Sequence, residues 1–340
     1  MFINYLRQYQ ITIVQAAQEP QDQSMEKRRH LVSATDSATA LHLYRLPFFE
    51  LLFRAHSIHR RFHNVQDIQR CFLLSIKTGG CPEDCGYCSQ SVHHDVTGVE
   101  RQSLVSVETV RSEAIKARNH GAQRFCMGAA WRNAPSGKLF EQVLEMVREV
   151  KSLGLEACAT LGMLTQEQAH RLKEAGLDAY NHNLDTSRSH YTHIVSTRTY
   201  DDRLKTIQAV REAGITLCCG GILGLGESEE DRCKLLSELA TMDPQPESVP
   251  INLLVPIKGT PLENSPSVET TDLVRTVAVA RILMPLARVR LSAGRLSLNQ
   301  EAQMLAFFAG ANSIFIGEKL LTTPNVSLVR DMTMLTEIQA

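Results

Sequence analysis

The stretch LEACATLGMLTQEQAHRLKEAGLDAYNHN, residues 155–183, decides the fold, because it holds one full period of the chain's pattern. Residues 155–161 read as a strand, TQEQAHRLKEAG over 165–176 as a helix, and LDAYNHN over 177–183 as the next strand. Thr165 can accept a first-turn N–H, and Gly176 can take the left-handed conformation that ends a helix. Strand, helix and strand in so few residues make a βα unit with parallel strands.

The beat extends both ways. Strand-like runs stand at 71–77 (CFLLSIK), 123–128 (QRFCMG), 214–221 (GITLCCGG), 248–255 (SVPINLLV), 287–293 (ARVRLSA) and 312–317 (NSIFIG). Helical stretches separate them: KLFEQVLEMVREVKSLG puts Phe140, Val143, Val147 and Val150 on one stripe, with Gly154 as its stop. Eight strands alternating with helices predict an α/β fold, a closed (β/α)8 barrel of TIM type over residues 70–325. A doubly wound open sheet is the alternative, but its first loop is usually Gly-rich, and here that loop is Cys-rich. Residues 46–63 (LPFFELLFRAHSIHRRFH) read as an amphipathic helix ahead of the barrel, and the polar residues 1–45 as a tail or loosely held extension. The expected division is therefore an N-terminal extension, 1–45, and a barrel domain, 46–340.

The net charge of −1 gives no broad attraction to nucleic acid or anionic membrane. No apolar run approaches the roughly 20 residues of a membrane span. MFINYLRQYQITIVQAAQ carries Arg7 and glutamines where a secretory signal needs an apolar run. A cytoplasmic setting is expected, and there nine cysteines point to metal or cluster ligation ahead of disulfides, with buried inert thiols as the alternative for any one of them.

KTGGCPEDCGYCSQS follows the first strand, so it falls at the C-terminal mouth where barrel sites form. Cys81, Cys85 and Cys88 give a Cys-x3-Cys-x2-Cys spacing: three thiolates for a [4Fe–4S] cube, with one iron left open. Gly79, Gly80 and Gly86 offer the backbone freedom of such a wrap. A structural zinc loop is the alternative, and would draw its fourth ligand from His93 or His94.

Strand parity adds a second group. Phe125 and Met127 suit the helix side, which turns Cys126 inward; Ala157 and Ala159 do the same for Cys158, Ile215 and Leu217 for Cys218, and Val289 and Leu291 for Arg288 and Arg290. Cys219 then faces the helices, while Cys71 and Cys233 remain without a role. Asn181, Asn183 and Asp185 share one parity at the mouth of the fourth strand, and Asn252 faces inward from the sixth. Lys77 is a further lumen charge with no firm role.

CPEDCGYC is similar to the signature of radical S-adenosylmethionine (SAM) enzymes. RFCMGAAW, YNHNLDTS, GGILGLGE, VPINLLVPIKGTPL, VRLSAGR and GANSIFIGEKLLTTPN narrow the resemblance, over about residues 46–335, to the biotin synthase family. That resemblance implies a sulfurtransferase making biotin from dethiobiotin by radical sulfur insertion between a methyl and a methylene carbon. It implies two SAM cleavages, each giving methionine and 5′-deoxyadenosine, and a sulfide drawn from a second, [2Fe–2S] cluster. It implies Cys126, Cys158, Cys218 and Arg290 at that cluster; Tyr87, Met127, Gly128, Ala129, Ala130, Asn183, Asp185, Ile222 and Val255 at SAM; and Asn183, Asn252, Thr322 and Thr323 at dethiobiotin. A homodimer, a flavodoxin or ferredoxin as electron donor and the iron–sulfur assembly machinery are the implied partners. Two other readings stay open at this point: a related radical SAM enzyme with another substrate, and a non-catalytic iron–sulfur electron-transfer protein.

Overall fold

The computed structural model describes residues 36–339. Among these residues nine parallel strands form one sheet: β1 (Gln69–Lys77), β2 (Arg124–Ala129), β3 (Glu156–Thr160), β4 (Ala179–Asn181), β5 (Thr216–Cys218), β6 (Gly221–Leu223), β7 (Ser248–Leu253), β8 (Arg288–Leu291) and β9 (Ser313–Ile316). Their order is β5-β4-β3-β2-β1-β9-β8-β7-β6, and β5 also pairs with β7 through Cys218 and Ser248, which closes the sheet. β5 and β6 are two halves of one broken stave, so the barrel has the predicted eight.

The break lies at Cys219–Gly220 and has a steric cause. A Cβ on Gly220 would lie 2.0 Å from the Pro250 carbonyl oxygen, and Pro250 has no N–H to offer its neighbour. The Gly220 backbone turns instead to the loop after β4, donating to Asn183 Oδ1 (3.2 Å) and accepting from the Asp185 N–H (3.2 Å). β4 ends at Asn181, so Asn183 and Asp185 belong to that loop and not to the strand.

Before the barrel come α1 (Ser37–Tyr44) and α2 (Phe48–Phe62), separated by Pro47. Around it stand α3 (Val107–Asn119), α4 (Lys138–Ser152), α5 (Gln166–Glu174), α6 (Arg188–Tyr191), α7 (Tyr200–Glu212), α8 (Glu229–Ala240), α9 (Thr270–Leu283), α10 (Gln300–Phe308) and α11 (Leu328–Gln339). Local sequence sets their ends: Thr165 and Gln168 form a capping box on α5, as do Thr199 and Asp202 on α7. Gly154 follows α4 at φ +78°, the left-handed stop expected of it.

The main apolar core lies between strands and helices, where Phe125, Met127, Val143, Leu217 and Val289 are fully buried. α1, within the stretch read as a loose extension, is docked: it packs on α8 and α9, and Arg275 donates to the Tyr44 (2.7 Å) and Leu46 (2.8 Å) carbonyls. The rest of the tail reading falls on residues 1–35, outside the described ones.

Polar side chains floor the barrel at the N-terminal ends of the strands. Arg124 Nε donates to Glu156 Oε2 (2.8 Å), Gln69 Nε2 to the same oxygen (3.0 Å), and Arg124 Nη1 to Ser248 Oγ (3.1 Å). Arg288 shares the inward parity of Arg290 but sits at this base, paired with Asp67 at 2.5 Å.

Candidate active site

Above the floor the lumen carries an inner ring of sulfur. Cys126 and Cys158 pair across β2 and β3, and Cys218 enters from β5 beside Asn181, whose Nδ2 lies 3.5 Å from its sulfur. Arg290, 1% exposed, donates Nη1 to Cys218 Sγ (3.5 Å), Nε to Ser313 Oγ (2.9 Å) and Nη2 to Gln69 Oε1 (3.4 Å), with its carbon 5.0 Å from the Phe315 ring centre. The structure thus brings the four inward residues together, and Cys219 lies in the apolar layer outside the lumen.

A fourth thiol stands in this ring. Cys71 on β1 is fully buried and forms one lumen group with Cys126, Cys158 and Ala179, flanked by Leu73 and Phe315. The residue was missed although its own strand signals it: Phe72, Leu74 and Ile76 take the helix side of CFLLSIK, which turns Cys71 inward. Cys126 has the Cys158 and Cys71 thiols as its lumen neighbours, and they and burial push its own thiol up. Burial opposes charge at Cys71, but Cys126, Arg290 and Arg124 outweigh it and pull that thiol down.

At the mouth, residues 79–92 wrap the three-cysteine loop. Gly79 and Gly80 adopt φ of +69° and +68°, as the reading of the loop required. Gly86 does not share that role: a Cβ there meets the Ile194 carbonyl at an ordinary 3.6 Å, and its N–H donates to that same oxygen at 2.9 Å. The loop's acids pin it from below. Asp84 Oδ1 accepts the Ser196 (2.9 Å) and Thr197 (3.1 Å) N–H groups, and buried Glu83 faces Arg132 (3.5 Å) and Arg198 (3.8 Å).

Backbone N–H groups reach the sulfurs themselves, from Glu83 to Cys81 and from Gln90 and Ser91 to Cys88. Burial pushes the Cys85 thiol up to about 12 and the Cys88 thiol up to about 11, so a thiolate here needs a metal charge beside it. His93 and His94 turn their Nε2 atoms to the Pro82 (3.1 Å) and Cys85 (2.9 Å) carbonyls, not to a common point with the thiols. Among the described residues no three His, Cys, Asp or Glu side chains converge as ligands of one ion would. Ligands of an iron–sulfur cluster bind separate irons and stand farther apart, so the donor sets fit a cluster better than zinc.

Between loop and ring lies a polar shelf. Asp185 is the single non-glycine residue of positive φ (+68°) among those described. Tyr87 Oη donates to its Oδ2 at 2.8 Å, and Arg203, buried on α7, forms an ion pair with the same oxygen. Burial opposes the Arg203 charge, but Asp185 raises its pKa well above the usual value; Tyr87 is raised by burial and by Asp185. Arg203 also donates Nη1 to the Asn183 carbonyl (2.6 Å) and Nε to Tyr191 Oη (2.8 Å). No spacing in the sequence marks Arg203, which reaches the site from a helix.

Asn252 donates to the Gly221 carbonyl (3.0 Å) and accepts the Ala293 N–H (3.2 Å). Ile222 and Val255 are half-buried at this rim. Met127 packs its side chain in the main core, leaving its backbone, with Gly128, Ala129 and Ala130, on the strand's path to the mouth. Leu321 closes over Gly128, where a Cβ would lie 2.5 Å from its Cδ2. In the same loop Thr322 Oγ1 meets Ser89 Oγ at 3.0 Å, beside Cys88, and the Thr323 carbonyl accepts the Leu320 N–H at 2.9 Å. Lys77 donates to the Gly79 and Ala130 (2.8 Å) carbonyls, tying β1 to β2 below the cysteine loop.

Comparison with known proteins gives the family. Residues 75–239 match the Radical SAM superfamily and residues 250–339 the Biotin and Thiamin Synthesis associated domain. Among solved structures, methylornithine synthase superposes with a TM-score of 0.71 at 18% identity, covering 91% of each chain. The FeFe-hydrogenase maturase of Carboxydothermus hydrogenoformans gives 0.75 at 18% identity, over 98% of this chain and 79% of that one. At such identity the likeness is one of fold. Curated relatives are far nearer: the biotin synthase of Sorangium cellulosum is 60% identical over 296 residues, 87% of this chain and 84% of that protein. That of Myxococcus xanthus is 59% identical over 293 residues, 86% of this chain and 84% of its own length. A mouth loop of three cysteines above a sulfur-lined lumen, both family matches and identity at this level together place the chain in the biotin synthase family of radical SAM enzymes.

Proposed function

We propose that the chain converts dethiobiotin to biotin by radical sulfur insertion, with Cys81, Cys85 and Cys88 holding a [4Fe–4S] cluster and Cys126, Cys158, Cys218 and Arg290 surrounding a [2Fe–2S] cluster. One observation carries this reading: two separate cysteine groups face one barrel interior, one at its mouth and one in its lumen. Neither C–H bond of the substrate that must be replaced is acidic enough for base chemistry, so the residues have to position reactants and not move protons. When bound, the open-iron cluster supplies the electron that splits SAM into methionine and a hydrogen-abstracting 5′-deoxyadenosyl radical, and the inner cluster supplies sulfide.

The protein's own work follows from its geometry. Cys81, Cys85 and Cys88 would hold the mouth cluster, and the Met127–Ala130 backbone, at the mouth end of β2, would bind the methionyl end of SAM beside it. The named bonds to Asp185 fall on Oδ2, which leaves Oδ1 for a ribose hydroxyl beside Asn183. Tyr87, Ile222 and Val255 give the apolar wall an adenine needs, and Asn183 and Asn252 give fixed amides for the ureido ring. Thr322 and Thr323 offer hydroxyls to the substrate carboxylate. The same reading includes a homodimer, a flavodoxin or ferredoxin as reductant, iron–sulfur assembly proteins and a cytoplasmic setting. Among the described residues no helix is long and apolar enough to cross a membrane.

The test is anaerobic reconstitution with iron and sulfide, followed by an assay for biotin, methionine and 5′-deoxyadenosine with dethiobiotin and SAM. Biotin formed with two 5′-deoxyadenosine per product is expected. SAM cleavage without biotin would move the chain to another substrate, and no SAM-dependent cleavage at all would make it an electron carrier.

A further inference from the structure

We propose that Tyr44 and Arg232 position the Ile222–Glu227 turn for SAM, which makes α1 an outer brace of the cofactor site. The inference rests on the reading above that Ile222 flanks the adenine, and concerns what holds that turn in place.

The turn is anchored at both ends. At its start the Ile222 N–H donates to the Asp185 carbonyl (2.8 Å), which ties it to the acid of the polar shelf. Gly224 and Gly226 then stand at φ of +97° and +85°, a course that glycine takes most easily. The Gly224 N–H donates to both carboxylate oxygens of Glu227, at 3.1 Å each. A side chain therefore closes the turn, and its shape is only as fixed as that carboxylate.

Glu227 is fixed from outside the barrel. Arg232 on α8 donates Nε to Glu227 Oε1 at 2.8 Å, and the acid and the base are 2% and 10% exposed, so water screens the pair weakly. Arg232 Nη1 reaches Tyr44 Oη (3.1 Å) and Asp272 Oδ2 (2.8 Å), and Tyr44 Oη donates to Asp272 Oδ1 (3.3 Å). Burial opposes the Arg232 charge, but Asp272, Glu227 and Tyr44 outweigh it and raise its pKa. A phenol suits this place because it accepts from the cation and donates to the acid at once.

Helix direction explains how α1 comes to do this. A barrel helix begins where its strand leaves the mouth, so the first turn of α8 lies at that level. α1 has its last turn there too, since Arg45 pairs with Glu229 (3.1 Å) and Glu230 (2.5 Å), while Asp36 and Ser37 line one cavity with Ser237 and Thr241 at the other end of α8. Tyr44 closes α1 and stands three links from Gly224, through Arg232 and Glu227. Without its hydroxyl one of the three groups that fix the Arg232 guanidinium is gone, and the looseness passes through Glu227 to Gly224 and Ile222.

The experiment compares full-length wild type, Tyr44→Phe, Arg232→Met and Arg45→Ala after anaerobic reconstitution with iron and sulfide. The readouts are equilibrium dialysis of SAM, 5′-deoxyadenosine and methionine, and hydrogen exchange of the peptide 221–228. Tyr44→Phe should bind SAM and 5′-deoxyadenosine about fivefold more weakly, the loss of one hydrogen bond, with methionine binding unchanged and exchange at 221–228 faster. Arg232→Met should show the same pattern with a loss of about tenfold or more. Arg45→Ala removes ion pairs at the same helix end that do not reach Glu227, and should match wild type in binding and exchange. A Tyr44→Phe chain with wild-type nucleoside binding and exchange overturns the proposal, and so does one that loses methionine as much as 5′-deoxyadenosine. An Arg45→Ala chain with the Tyr44→Phe losses also overturns it, since α1 is then a general support. If Arg232→Met fails to fold, Tyr44→Phe decides. A wild type in which 5′-deoxyadenosine adds no protection to 221–228 would overturn the Ile222 reading itself, and the proposal with it.

Discussion

Arg290 reaches past β7 to place its Nη1 3.5 Å from the sulfur of Cys218, while the adjacent Cys219 lies with Leu184 and Leu217 in the apolar layer outside the lumen. One residue's step along a strand reverses the side chain, so this contact separates two neighbouring thiols by function. Cys218→Ser should lose most biotin formation and perturb the [2Fe–2S] signal. Cys219→Ser should keep both cluster signals and cost about 1–3 kcal/mol from a buried hydroxyl. Mössbauer spectra with denaturant titrations check both; the reverse pattern would mean that β5 is out of register.

Replacing Cys81, Cys85 or Cys88 with Ala should abolish SAM cleavage, since two thiolates cannot hold the cube with one iron open. The measurement is 5′-deoxyadenosine formed under reducing conditions. A variant cleaving SAM at the wild-type rate would defeat the assignment of this loop. Cys126→Ala and Cys158→Ala should instead retain the mouth cluster and lose the inner one.

Arg203 and Asp185 are a buried ion pair with a strained backbone on the acid's side. Arg203→Met leaves the carboxylate unpaired and should cost about 3–5 kcal/mol of stability. Tyr87→Phe removes one hydrogen bond to the same oxygen and should weaken SAM binding by about 1 kcal/mol, close to fivefold. Urea unfolding and SAM titration of the reconstituted enzyme separate the two; equal effects would show Tyr87 to be a structural group only.

His59 lies on the buried face of α2 with both ring nitrogens unpartnered among the described residues, and burial beside Arg281 lowers its pKa to about 3. The folded state therefore resists a proton that the unfolded chain takes up near 6.5. Stability is complete above that value and falls as acid is added, by about 2 kcal/mol at pH 5 from this group. His59→Leu should flatten the decline of Tm between pH 7 and pH 5. A slope identical to wild type would assign the acid loss to other groups.

The barrel and its two cysteine groups were legible because both depend on local rules. Caps at Thr165 and Gly154 mark helix ends, and alternation in RFCMG and EACATL fixes which thiols turn inward. What escaped depends on contacts distant in sequence. The broken fifth stave needs Pro250 opposite Gly220, and the Asp185 clamp needs Arg203 from a helix. Cys71 escaped for another reason: its parity was available, but a cysteine opening a strand was left among the unassigned thiols.

The polar floor of Gln69, Arg124, Glu156 and Ser248 makes the barrel a vessel with one opening. Whatever occupies the lumen reaches Cys126, Cys158 and Cys218 by way of the mouth, so the loop of Cys81, Cys85 and Cys88 stands across the approach to the inner thiols.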